Sequence, residues 1–201
     1  TFDVGPGPYT EKLLDILDRY NVKATFFVTN GKPDYQNLIA QEAQRGHTVA
    51  IHSASHDYAK IYQSVDTYFA DFDEMNSIIT AQTGKAADLV RFPGGSSNTI
   101  SKKYCYGIMS QLVCAVEERG FRYCDWNVSS GDAGGTTSTS QVVANVIEGI
   151  KSNNVSVVLQ HDIKNFSVDA VEQIIQWGLS EGYTFLPMTS TTPMSHHGVN
   201  N

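Results

Sequence analysis

The chain has 201 residues, enough for one well-buried domain and too few for two of ordinary size. With 41% hydrophobic and 17% charged residues it is not a disordered or low-complexity chain, and 14 Lys and Arg against 21 Asp and Glu leave a net charge of −7. That field repels phosphate backbones and anionic lipid, which argues against nucleic acid as a partner, and no apolar run approaches the roughly 18 residues of a membrane span.

The predicted elements alternate in type along the chain. A short strand at Thr1–Asp3 enters a Gly/Pro turn, and Leu13, Leu14, Leu17 and Tyr20 then share one helical face, with Thr10 as the expected N-cap. Ala24–Val28 reads as a buried strand, Asp34–Arg45 as a helix closed by Gly46, and His47–Ile51 as the next strand. Further strands are predicted at Ala87–Arg91, Phe121–Cys124, Val155–Gln160 and Tyr183–Leu186. Helices are predicted at Val65–Thr83, Lys103–Arg119, Ser140–Lys151 and Val168–Leu179. Strands separated by helices, without hairpins, predict a parallel α/β sheet; pattern alone leaves it open or closed. Residues 1–201 read as one domain, with a Ser/Thr/Asn-rich tail from about Ser190 expected to fray and to leave His196 and His197 in solvent. Cys105, Cys114 and Cys124 lack C-x-x-C spacing and read as packing residues.

Five polar clusters fall just after predicted strands: Thr1-Phe2-Asp3-Val4-Gly5-Pro6, His52-Ser53-Ala54-Ser55-His56, Arg91-Phe92-Pro93-Gly94-Gly95, Trp126 to Asp132, and Leu159-Gln160-His161-Asp162. In a parallel α/β architecture, loops at the carboxyl ends of strands share one face and build the site. His52 and His56 are four apart, a spacing that lets two imidazoles reach one ion, although such pairs are more often ordinary loop residues. No Glu follows His52, so the H-E-x-x-H metalloprotease pattern is absent. Asp3 reads as a carboxylate base or a turn residue, and His161 as a general acid or base or a satisfied core histidine. Arg91 reads as a functional cation or a surface ion pair, and Asp132 as a site acid or a turn residue. Gly94 and Gly95 either offer N–H groups to an oxyanion or make a tight turn.

In this order the clusters resemble the five motifs of the polysaccharide deacetylases, the NodB-homology group called carbohydrate esterase family 4, and the resemblance runs from Thr1 to about Leu186. It implies a distorted (β/α) barrel of about seven parallel strands and a hydrolase that removes N-acetyl groups from N-acetylglucosamine-containing polysaccharide, peptidoglycan in the first place. It implies Asp3 as base, Arg91 as the arginine that holds it, His161 as general acid and Asp132 as the acid that tunes that histidine. Gly94, Leu159 and Trp126 become substrate-binding positions, the first through its N–H and the second beside the acetyl methyl. His52 and His56 become ligands of a divalent metal, zinc first, with cobalt, nickel or manganese as alternatives. The implied setting is extracellular or the cell envelope, with Thr1 starting a catalytic domain cut from a longer secreted or anchored protein.

The chain departs from the family pattern twice. Val4 stands where the family has an Asp that is the third metal ligand, and an isopropyl group coordinates nothing. A substitute carboxylate from Asp57 or Asp132, completion by water, or loss of metal and activity are the three outcomes, the last being a catalytically silent carbohydrate-binding homologue. Ala133 replaces a common Trp, which predicts a more open groove.

Overall fold

A computed structural model describes residues 1–201. Its strands are β1 (Phe2–Asp3), β2 (Thr25–Thr29), β3 (Thr48–Ser53), β4 (Leu89–Val90), β5 (Arg122–Tyr123), β6 (Val128–Ser129) and β7 (Val158–His161). The helices are α1 (Thr10–Arg19), α2 (Leu38–Gln44), α3 (Tyr58–Ile61), α4 (Val65–Thr83), α5 (Ile108–Glu118), α6 (Thr139–Lys151) and α7 (Asn165–Ser180). The strands lie in the order β5-β4-β3-β2-β1-β7-β6, every pair parallel, and curl into a half-barrel: the distorted (β/α) barrel that the motifs implied.

Alternation along the strands divides the core. Phe26 and Val28 of β2 pack with Leu13, Leu14 and Leu17 of α1 and with Phe72, Met75 and Ile79 of α4 in the main cluster, on the helix side. Phe27, between them, points the other way and joins Ala50, Leu89, Cys124 and Val157 on the concave face. Asp3 follows the helix-facing Phe2 and therefore projects on the concave side, where the register sets it beside His161 of β7.

Local chemistry explains the element ends. Ser64 and Thr67 form a reciprocal capping box at the start of α4, and Gly84, at φ 76°, terminates it in the left-handed region. Thr10 does not cap α1 as expected; it is the first helical residue, and its hydroxyl accepts from Gly7 N–H at 2.8 Å and donates to Asp162. The helix expected over Asp34–Arg45 is divided into a 3₁₀ turn at Pro33–Tyr35 and α2, because only Leu38, Ile39 and Glu42 have a core to bury against. Likewise α5 starts at Ile108 rather than near Lys103, after Gly107 at φ 77°.

The strand expected at Tyr183–Leu186 is absent. Tyr183 and Leu186 are exposed, and the chain instead runs on to Met188, whose N–H donates to Thr25 Oγ1 at 2.7 Å and whose carbonyl accepts from Thr48 Oγ1 at 2.6 Å. The seventh strand is β6, two residues inside the Trp126–Asp132 cluster and too short to show a period. From Met188, buried in the concave cluster, the tail climbs past β5: Asp125 N–H donates to Ser195 O at 2.7 Å and the His196 ring stacks on Tyr123 at 3.9 Å. The tail is bonded rather than frayed because it covers the open edge of β5. No helix is long and apolar enough to cross a membrane.

Candidate active site

The first pair is Asp3 and Arg91. Asp3 is 2% exposed and Arg91 fully buried, and Arg91 Nη1 donates to Asp3 Oδ1 at 2.8 Å. A buried guanidinium is tolerated only when its donors are satisfied. Here Nε donates to Cys124 O at 2.9 Å, Nη1 also to Thr1 Oγ1 at 2.7 Å, and Nη2 to Asp125 O at 2.8 Å, with the cation 4.0 Å above the Phe27 ring. Arg91 thus fixes Asp3 from the ends of two neighbouring strands, β4 and β5.

The second pair is His161 and Asp132. Asp132 Oδ1 meets His161 Nδ1 at 2.8 Å, and its Oδ2 accepts from the His161 backbone N–H at 2.8 Å and from Ser167 Oγ at 2.6 Å. Burial alone would lower the imidazole's pKa, but the Asp132 hydrogen bond and charge, with Asp3 adding to them, outweigh it and raise it above the ordinary value. Asp132 is correspondingly lowered against its own burial by the same contact and by Ser167. With Nδ1 engaged, Nε2 is the nitrogen free to exchange a proton with a ligand.

His52 and His56 come together with ring centroids 5.1 Å apart. His52 Nδ1 donates to Arg91 O at 2.7 Å, which leaves Nε2 as the lone-pair nitrogen, and burial holds its pKa down at about 4, so the ring is neutral near pH 7. His56 is lowered by burial as well. Its placement depends on Asp71, a residue the motifs did not reveal. Asp71 is buried among Tyr68, Phe72, Met75 and Ile79 on α4 and accepts from Ser53 Oγ, Ala54 N, Ser55 N and Ser55 Oγ at 2.5–2.8 Å, shaping the loop between the two histidines. The signal was a carboxylate on the apolar stripe of a helix.

Two imidazoles do not complete a metal site. No group of three His, Cys, Asp or Glu side chains in the molecule is arranged to hold an ion. Val4 brings no donor atom, Asp57 is spent as the N-cap of α3 at 2.9 Å from Ala59 N, and Asp132 is committed to His161 and Ser167. The expected pair is present, but neither substitute carboxylate completes it, and the residues here do not fit a metal held by three protein ligands.

The glycine pair divides in role. Gly95 N–H donates to Phe92 O at 2.8 Å, closing the turn, whereas Gly94 N–H has no partner within the protein. Both are at positive φ, 78° and 80°. A Cβ on Gly95 would stand 3.0 Å from Trp126, so the indole walls this loop. Leu159, two residues before His161 on β7, shares its face of the strand and is 6% exposed beside it. His197, expected in solvent, bonds through Nε2 to Trp126 O at 2.6 Å and through Nδ1 to Ser97 Oγ at 3.1 Å, while His196, though exposed, stacks on Tyr123 and bonds Tyr123 O through Nε2 at 3.0 Å.

The family profile described as polysaccharide deacetylase matches residues 1–106, slightly more than half of the chain. The chain belongs to the polysaccharide deacetylase family. It is 32% identical over 191 residues to a peptidoglycan-N-acetylglucosamine deacetylase of Bacillus cereus, covering 92% of this chain and 66% of that protein, so it spans about two thirds of the relative's length. Among solved structures, the catalytic domain of a peptidoglycan N-acetylglucosamine deacetylase from Eubacterium rectale shares 70% identity at a TM-score of 0.99, covering all of this chain and 91% of that one. A polysaccharide deacetylase of Bacillus cereus shares 32% identity at a TM-score of 0.84, covering 96% and 93% of the two chains. Within this family the five clusters converge at the carboxyl ends of β1, β3, β4, β5 and β7, with the fourth continuing through β6 to Asp132.

Proposed function

We propose that this polysaccharide deacetylase domain hydrolyses the N-acetyl group of N-acetylglucosamine units in a glycan, peptidoglycan in the first place. The observation that carries the reading is the β1–β7 register, which sets the Arg91-held Asp3 directly beside the Asp132-held His161. An amide is a weak electrophile and an amine a poor leaving group, so the reaction needs a base for water and an acid for nitrogen. Asp3 takes a proton as water attacks the acetyl carbon. Gly94 N–H is a free donor for the acyl oxygen as it gains charge. His161 Nε2–H then protonates the departing sugar nitrogen, the C–N bond breaks, and acetate and the free amine result. In this reading Leu159 meets the acetyl methyl.

A divalent metal, when bound, would supply Lewis-acid polarisation of the acyl oxygen. His52 and His56 would offer it two imidazoles, and no third His, Cys, Asp or Glu side chain joins them. A neutral glycan suits the net charge of −7, and a peptidoglycan substrate would put the protein's working site outside the cytoplasmic membrane.

Val4 favours a second reading, a homologue that keeps the sugar groove and binds without turnover. Metal content under excess zinc and acetate release from N-acetylglucosamine oligomers, measured on this chain and on Val4→Asp, separate the two. Acetate release by the unmodified chain supports the enzyme. No release from the parent, with both release and metal uptake gained in Val4→Asp, overturns it in favour of the binder.

A further inference from the structure

Tyr58 faces this chemistry without a part in the steps above. It is the first residue of α3, two positions after His56, and its ring is held from both sides, with centroids 5.5 Å from His56 and 5.5 Å, edge-on, from Tyr62. Tyr62 is fully buried and donates to Pro93 O at 2.7 Å, which ties the aromatic stack to the loop that carries Gly94. At Gly94 a Cβ would lie 2.8 Å from Tyr58 Oη, closer than side chains tolerate. The phenol therefore fills the space that any side chain at position 94 would need, and the glycine leaves it there.

The half-buried Tyr58 hydroxyl has no hydrogen-bond partner in the protein. Unlike the buried Tyr68 hydroxyl, it reaches solvent, so a ligand oxygen can take the place of water on it without loss of a hydrogen bond. Gly94 N–H, on the residue that the hydroxyl abuts, is also unpartnered. Two free donors at one residue, on a loop between the imidazole pair and the Trp126 wall, are the arrangement that stabilises developing negative charge on an oxygen. The incomplete metal shell leaves that oxygen more dependent on neutral donors.

We propose that Tyr58 Oη–H and Gly94 N–H form the donor pair for the acyl oxygen, making Tyr58 a catalytic residue that donates a hydrogen bond without transferring its proton. This rests on the deacetylase reading. The test is Tyr58→Phe, which deletes one oxygen and keeps the ring in its stack.

The expected result is a kcat for acetate release lower by about 10²–10³, with KM within about threefold and the melting temperature unchanged, as for loss of one oxyanion donor. A kcat within about threefold of the parent overturns the proposal. A second measurement does not need turnover: calorimetric affinity for a tetrahedral phosphonamidate analogue of the acetamide, compared with an N-acetylglucosamine tetramer. Tyr58→Phe should weaken the analogue at least about tenfold more than the tetramer, and equal weakening of both assigns Tyr58 to sugar binding and overturns the donor role. A parent that releases acetate while Tyr58→Phe matches it removes Tyr58 alone; a parent that neither releases acetate nor binds the analogue removes the deacetylase reading and this role with it.

Discussion

Asp132 grips His161 at two points, the imidazole Nδ1 at 2.8 Å and the backbone N–H at 2.8 Å, so one carboxylate fixes both the ring's protonation and the place of β7 beneath it. Removing the charge while keeping the shape, Asp132→Asn, takes away the contact that offsets burial, and the His161 pKa falls. A general acid works only when protonated, so acetate release declines as pH rises through that pKa. The alkaline limb of the rate profile should therefore move to lower pH in Asp132→Asn. The same sign governs stability: a raised histidine pKa stabilises fully below its unfolded value near 6.5 and less as pH rises through the folded one. Urea unfolding should show the variant's deficit to be larger at pH 6 than at pH 9, and a deficit independent of pH would count against the ion pair.

Replacing His161 by Ala should cost on the order of 10²–10⁴ in acetate release, the range of general acid catalysis. Because its side chain is 14% exposed and reaches into the site rather than the core, the fold should persist, which near-ultraviolet circular dichroism would check. An unchanged rate removes His161 from the mechanism.

Arg91 couples stability to the site. Truncation to Ala leaves the Asp3 carboxylate buried without its partner, orphans the carbonyl of Cys124 and leaves that of Asp125 only the weak Cys124 thiol donor, a loss of about 3–5 kcal/mol by the usual scale for a broken buried pair. Arg91→Lys should be nearly as damaging, since one ammonium cannot reproduce bonds to Thr1, Asp3, Cys124 and Asp125 from a single point. Chemical denaturation of both variants, with Asp3→Ala added to each, tests the coupling: the double variant should lose less than the two single losses combined.

The motifs made Asp3, His52, Arg91 and His161 legible as candidates because chemistry-bearing side chains at strand ends are marked by residue type at fixed places. Asp71 escaped notice because a helix period marks the buried face without saying which polar residue on it is satisfied, and the four donors that satisfy it come from a loop 16 to 18 residues earlier. Strand β6 is not legible because two residues carry no period, and Tyr183–Leu186 reads as a strand because apolar residues in an extended run do not reveal whether a neighbouring strand is free to pair. Histidines in a Ser/Thr/Asn tail look solvated until the exposed edge of β5 gives them carbonyls to bond.

Val4 sits at φ 73°, the left-handed region in which a β-branched side chain crowds its own backbone. The conformation is held from both sides, by Val4 N–H donating to Phe27 O at 3.1 Å and by Thr29 Oγ1 donating to Val4 O at 2.8 Å. Left-handed geometry costs an L-residue roughly 1–2 kcal/mol, while Gly gives back about 0.5–1 in unfolded-state entropy. Val4→Gly should therefore stabilise by about 1 kcal/mol, seen as a rise of about 2–4 °C in melting temperature. Asn, which tolerates the same region, should gain too. A fall in both variants would mean that the half-buried isopropyl group contributes more by packing than its backbone costs.

His197 ties the tail to Asp125, Trp126 and Ser97. Its backbone N–H donates to Asp125 Oδ2 at 2.8 Å, its ring bridges Trp126 O and Ser97 Oγ, and Asp125 in turn accepts from Ser96 N–H at 2.8 Å and presents its own carbonyl to Arg91. The loop bearing Gly94 and Gly95 is thereby fastened to β5 through a segment far away in sequence. His197→Ala keeps the backbone bond and loses both ring bonds and the edge contact with Trp126, whose ring centroid is 4.7 Å away. The Trp126 carbonyl then turns to water, so the cost should be about 1–2 kcal/mol. The change should be local. Native-state hydrogen exchange should quicken at Ser96 and Asp125, whose amides bond to Asp125 Oδ1 and Ser195 O, while the amides of β2 and β3, paired at the centre of the sheet, keep their protection. Exchange that quickens equally across β2 and β3 would show the tail to be a general brace of the barrel rather than a fastening for this loop.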